Sequence, residues 1–130
     1  MDTNKKNKKE YRFIIKILMS KITTKKLIIN DKEYTIHIGR NAIGNDTLVK
    51  KSNKTDLWFH LENESSPHIV LVINESKSII TNEVIRNVGI EMYNYKKSHD
   101  NVIYTEIKNV SCTKIPGTVY TKNIKILKYF

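Results

Sequence analysis

The chain has 130 residues, enough for one domain with an ordinary core and too few for two. A hydrophobic fraction of 39% with seven tyrosines excludes a wholly disordered polymer. The formal charge of +10 calls for a polyanionic partner, nucleic acid first and an anionic membrane surface second.

The charge is not confined to a tail. Lys5, Lys6, Lys8 and Lys9 are set against Asp2 and Glu10, so residues 1–10 carry +2 and the remaining 120 residues +8. Lysine outnumbers arginine 20 to 3, however, and Ala42 is the only alanine. Such a bias toward residues with AT-rich codons accounts for part of the excess, so charge alone does not separate a nucleic-acid binder from a merely soluble basic protein. Cys112 is the single cysteine, which rules out an intrachain disulfide and points to a reducing compartment. The N-terminus has no signal-peptide layout, and the apolar stretch Phe13 to Met19 is broken by Lys16 and too short to span a bilayer. The expectation is a soluble, cytoplasmic protein without membrane insertion.

Residues 1–10 read as a flexible lysine-rich lead-in and residues 11–130 as the domain. Residues 11–22 are apolar at mixed spacing, compatible with helix or strand. Lys26–Ile29 and Glu33–Ile38 flank Asn30-Asp31, which predicts a β-hairpin. Tyr34, Ile36 and Ile38 alternate with Thr35 and His37, giving one buried and one wet face. Gly39-Arg40-Asn41 ends that strand, and Asn45 or Asp46 then caps a short helix to about Lys51.

In Asp56–Leu61, Leu57, Phe59 and Leu61 fall on one side and Trp58 and His60 on the other, wetter one. After Ser65-Ser66-Pro67, the run His68–Ile73 suits a central strand. Thr81 caps the long helix, with Val84, Ile85, Val88 and Met92 on one face and Lys96-Lys97 near its C-terminus. Strands follow at Val102–Ile107, Thr118–Thr121 and Ile124–Leu127, with a turn at Pro116-Gly117. The order ββαββαβββ lacks regular strand–helix alternation and predicts an α+β domain with a largely antiparallel sheet.

Three blocks carry a resemblance. They are Gly39-Arg40-Asn41-Ala42 with Asn45-Asp46, Leu48 and Lys50; Asp56-Leu57-Trp58-Phe59-His60; and Ser66-Pro67-His68-Ile69-Val70-Leu71. In that order and at those intervals they resemble the NFACT-R domain, the RNA-binding C-terminal part of NFACT proteins. The likeness continues through Val102-Ile103-Tyr104-Thr105 and Pro116-Gly117-Thr118-Val119-Tyr120 and covers residues 26–130. Two departures stand out: Ser65-Ser66-Pro67-His68 replaces a common Pro-Gly-Ser-His, and the long helix has Val84 to Ile90 where alanines are usual. The first resembles free-standing eukaryotic members.

The resemblance implies a free-standing domain that binds RNA, with tRNA or rRNA and the ribosome as partners. DNA is the binding-class alternative, since free-standing relatives are linked to DNA recognition; a small nuclease or RNA-modification factor is the enzyme-class one.

Residue chemistry sharpens the expectation. Arg40 carries a fork that holds a phosphate at two points, unless it is tied to Asp46 or Asp56. Asn41 and Asn45 suit either RNA contact or capping, whereas Asp46 repels phosphate and suits a cap. Lys50 meets backbone phosphate. Trp58 stacks on a base if it is exposed and serves the core if it is not. His60 and His68 orient a loop or contact phosphate; with Arg40 and Asp56 they also compose a polar set suited to acid–base work. The expected interface is therefore Arg40, Asn41, Asn45, Lys50, Trp58, His60 and His68, supported by Gly39, Asp46, Asp56 and Pro67. No residue is assigned a catalytic, cofactor-binding or metal-ligating role.

Overall fold

The computed structural model describes residues 21–73 and 80–128. The lead-in at residues 1–10 and nearly all of the ambiguous segment 11–22 lie outside the described residues. Strands β1 (Ile22–Ile29) and β2 (Lys32–Gly39) form the predicted hairpin, in register from Ile22 opposite Gly39 to Ile29 opposite Lys32. At its tip Asn30 and Asp31 take φ of 52° and 64°. Two consecutive positive φ angles give a turn whose twist matches that of the strands, and Asn and Asp tolerate it better than other side chains.

Helix α1 (Ala42–Lys51), β3 (Leu57–Leu61), β4 (Ile69–Leu71), α2 (Asn82–Tyr95) and β5 (Val102–Glu106) follow. A single 3-10 turn (Ile107–Asn109) then leads into β6 (Val110–Cys112), β7 (Val119–Thr121) and β8 (Lys125–Leu127). Six strands form one sheet in the order β1-β2-β4-β3-β5-β8, every neighbouring pair antiparallel, while β6 and β7 make a separate hairpin. The fold is α+β, in the order expected except for β6. Val-Ser-Cys is too short to display an alternation.

Both faces of the sheet are covered. On one, Ile36, Ile38, Phe59, Leu61, Ile69 and Leu71 pack against Val84, Val88 and Met92 of α2. On the other, Trp58, Val70 and Ile103 pack against Leu48 and Val49 of α1 and against Ile107 and Val110. This corrects the expected wet faces: Trp58 is 1% exposed, and Thr35 on β2 is buried as well. Alternation within one strand cannot report what lies over its second face. The continuous apolar run of β4 can, because only a strand covered on both sides is apolar throughout.

Thr81 caps α2 as predicted, its hydroxyl accepting from the Val84 amide at 3.3 Å. The cap of α1 is neither Asn45 nor Asp46. It is Asn41, whose Oδ1 accepts from the Gly44 amide at 2.9 Å, so the helix starts directly after Asn41. Among the described residues no helix is long and apolar enough to cross a membrane.

Candidate nucleic-acid interface

The antiparallel order brings the end of β2, the end of β3 and the start of β4 to one end of the sheet. There Gly39 donates its amide to the His68 carbonyl at 2.9 Å, extending the β2–β4 ladder. Gly39 has to lack a side chain: a Cβ would stand 2.0 Å from Asn45 Oδ1. That oxygen accepts from the His68 amide at 3.1 Å. The Gly39–Asn45 block and the Pro67-His68 block are thus one hydrogen-bonded unit.

Two further segments close on it. Ser66 Oγ accepts from the Leu61 amide at 3.1 Å and donates to the Pro67 carbonyl at 3.0 Å, which fixes the loop that enters β4. The turn at Pro116-Gly117 docks on the first turns of α1. Gly117, at φ 81°, donates its amide to Asp46 Oδ1 at 3.0 Å, and a Cβ there would approach Ala42 Cβ to 2.9 Å. Asp46 therefore anchors a turn some 70 residues away in sequence rather than capping its own helix.

These segments enclose a cleft of about 420 Å³, lined by residues 39–42, Asn45, His60, residues 65–67, Lys96 and residues 116–118. Its lining holds two basic residues, Arg40 and Lys96, and no carboxylate. Among the described residues Arg40 forms no ion pair. Asp46 is engaged by Gly117, and Asp56 accepts from the Asn53 and Ile73 amides at 3.1 and 3.0 Å. Arg40 is exposed directly after the end of β2. Lys96 enters from the end of α2 and was not among the expected interface residues; Lys96-Lys97 reads in sequence only as a complement to the helix dipole.

Beneath the cleft lies a cluster of three rings. Trp58 Nε1 donates to His68 Nδ1 at 3.0 Å, and both side chains are 1% exposed. His60 stacks on Trp58 with centroids 5.6 Å apart and planes 6° from parallel, and meets His68 edge-on at 5.2 Å. Burial drives the His68 pKa down to about 3, with the neighbouring His60 adding to the shift. Burial also lowers the His60 pKa, partly opposed by its hydrogen bond to the Leu61 carbonyl and by Asp100. Both rings are neutral at pH 7.

Several expected contacts change role. Trp58 and His68 are core groups with no face for a base or phosphate, because α1 covers their side of the sheet. Asn45 is buried and its side-chain oxygen is engaged by His68. Asn41 lines the cleft, but its oxygen belongs to the α1 cap. Lys50 is exposed near the far end of α1, roughly 12 Å along the helix from Ala42, and does not line the cleft. Asp56 precedes β3 while His60 sits four residues on, roughly 13 Å of extended chain, so the set Arg40, Asp56, His60 and His68 is not assembled. Pro67 lines the cleft where β4 begins.

The family model described as NFACT protein RNA binding domain matches residues 24–123, a span that contains the whole cleft. The chain belongs to the NFACT RNA-binding domain family. Among known proteins it is similar to coiled-coil domain-containing protein 25 of Bos taurus and of Mus musculus. Each is 29% identical over 92 residues, which cover 65% of this chain and 44% of the relative. The NFACT domain described here thus spans less than half the length of those relatives. Its fold is similar to the C-terminal part of the fibronectin/fibrinogen-binding protein from Streptococcus suis. That likeness has a TM-score of 0.67 at 22% identity and covers 82% of this chain and 45% of the other.

Proposed function

We propose that the chain binds RNA by its sugar–phosphate backbone in the cleft between the Gly39–Ala42 segment, the Ser65–Pro67 loop and the Pro116–Thr118 turn, and performs no chemistry on it. Membership of the NFACT RNA-binding domain family supports an RNA-binding role. The observation that carries the proposed location is the pair of cations, Arg40 and Lys96, in a lining without a carboxylate. Phosphates carry no sequence information, so such a cleft selects shape and charge rather than base order. The remaining positive charge of the chain adds affinity that is independent of sequence. Structured cytoplasmic RNA, tRNA or rRNA on or near the ribosome, is the proposed partner.

The test is competition at fixed salt. Labelled tRNA bound to the purified chain is challenged with unlabelled tRNA, an rRNA fragment and duplex DNA of equal length. Preferential displacement by the RNAs supports the reading, and equal displacement by DNA replaces it with a general nucleic-acid binder. Incubation of the same RNA with Mg²⁺ should leave it intact; cleavage would make the protein a nuclease.

A further inference from the structure

The ring of His60 carries a polarity opposite to that of the rest of the cleft. Its Nδ1 lies 2.6 Å from the Leu61 carbonyl oxygen. A carbonyl can only accept, so Nδ1 holds the proton and Nε2 of the neutral ring holds a lone pair. Stacking on Trp58 and edge contact with His68 hold the ring in that orientation. Nε2 has no partner among the described residues, yet no buried side-chain nitrogen or oxygen among them lacks one. Nε2 is therefore open to solvent, and His60 borders the cleft.

An open acceptor is out of place among phosphate-binding cations. Phosphate is itself an acceptor, so neutral His60 cannot bind it, and burial resists the protonation that would allow it to do so. Among the other lining side chains, the Asn41 oxygen accepts from the Gly44 amide, the Asn45 oxygen from the His68 amide and Ser66 Oγ from the Leu61 amide, while the Thr118 hydroxyl donates to the Ile115 carbonyl and, like Ser66, can serve either polarity. Ser65 keeps a rotatable hydroxyl that serves either polarity. His60 Nε2 accepts only.

Along a nucleic-acid backbone the 2′-hydroxyl of ribose is the one internal hydrogen-bond donor, and DNA lacks it. We infer that His60 Nε2 accepts a hydrogen bond from a ribose 2′-hydroxyl next to a phosphate held by Arg40, making His60 the residue that selects RNA over DNA. This rests on the cleft being the RNA site.

The experiment compares one RNA hairpin with a single-stranded overhang in three forms: all-ribo, 2′-fluoro, which keeps the RNA-like sugar pucker without the donor, and 2′-deoxy. Wild type should bind the ribo form roughly three- to tenfold tighter than either of the others, as one hydrogen bond implies. His60→Phe keeps the ring packing and removes the acceptor; it should bind all three alike, at the wild-type level for 2′-fluoro. His60→Gln, which keeps an acceptor, should recover part of the preference, and thermal melting checks that each variant is folded. Equal binding of the three forms by wild type, while Arg40→Ala weakens them all, would overturn the role of His60 and leave the cleft standing. So would an equal loss on all three forms in a folded His60→Phe. Failure of wild type to bind any form, or indifference of all three to Arg40→Ala, would remove the proposed site itself and this inference with it.

Discussion

Arg40 and Asp46 stand six positions apart and act in opposite ways. Arg40 lines a cleft with no carboxylate and makes no ion pair among the described residues, while the Asp46 carboxylate accepts from the Gly117 amide. Arg40→Ala should weaken RNA binding by roughly 1–2 kcal/mol in an anisotropy titration while leaving the melting temperature within a degree or two of wild type. Arg40→Lys keeps the charge but loses the two-pronged geometry, so it should recover only part of that loss. Full recovery would reduce Arg40 to a point charge. Gly39 is the structural counterpart: a methyl group there meets Asn45 Oδ1 at 2.0 Å and displaces the acceptor of the His68 amide. Gly39→Ala should therefore cost roughly 2–4 kcal/mol of stability, measured by urea unfolding, from overpacking and an orphaned buried donor together. The place of Gly39 was legible in the sequence as a strand-ending glycine, and Arg40 as the residue that follows it. The roles of Trp58 and His68 were not, since groups on a two-faced strand look the same whether water or a helix lies over them, and that of Asn45 was not because its partner, the His68 amide, is 23 residues away.

Helix α1 shows how a cap can be misplaced by a few residues. Asn41, Asn45 and Asp46 all have short side chains with an oxygen, and all suit a helix start. The turn after β2 needs only Arg40 between Gly39 and the cap, so Asn41 takes the position and Asp46 moves into the helix, where its oxygen reaches the Pro116-Gly117 turn. Paired variants separate the two functions. Asn41→Ala should cost about 1 kcal/mol as a lost cap. Asp46→Ala should cost a similar amount by releasing the Gly117 amide. Because that turn forms one wall of the cleft, Asp46→Ala should also lower RNA affinity measurably, which would not happen if Asp46 served its own helix alone. Sequence reasoning could not find the Asp46–Gly117 contact: it joins a carboxylate to a backbone amide 71 residues away, with no local pattern. The hairpin, helix α2 and the central strand β4 were legible because each has its own local signature, two turn-tolerant residues, a cap before a periodic face, or an unbroken apolar run; α1 was legible as a short helix ending near Lys51 but not in where it starts. Strand β6 has no such signature.

At the scale of the molecule, the ring cluster and the basic surface respond to different solution variables. His68 is neutral when folded, with its pKa near 3, and ionises near its ordinary 6.5 when unfolded. The unfolded chain thus binds more protons between those values. The contribution of His68 is whole above pH 6.5 and falls as pH drops toward 3, by roughly 1.4 kcal/mol per unit at most; His60 shifts in the same direction. Urea midpoints should decline from pH 7 to pH 4, and His68→Gln, which cannot ionise, should flatten that decline. Salt acts instead on binding. Each phosphate neutralised on a single strand contributes a slope of roughly −0.7 to log K against log salt. On the proposed reading Arg40 and Lys96 together should contribute about −1.4, and a steeper slope would count lysines recruited outside the cleft. Arg40→Ala should flatten the slope by about 0.7, whereas a substitution at His60, which offers a lone pair and no charge, should change affinity and leave the slope alone. An affinity that holds steady between about 50 and 200 mM salt would mean that the cations do not meet phosphate, and the backbone-binding cleft would have to be given up.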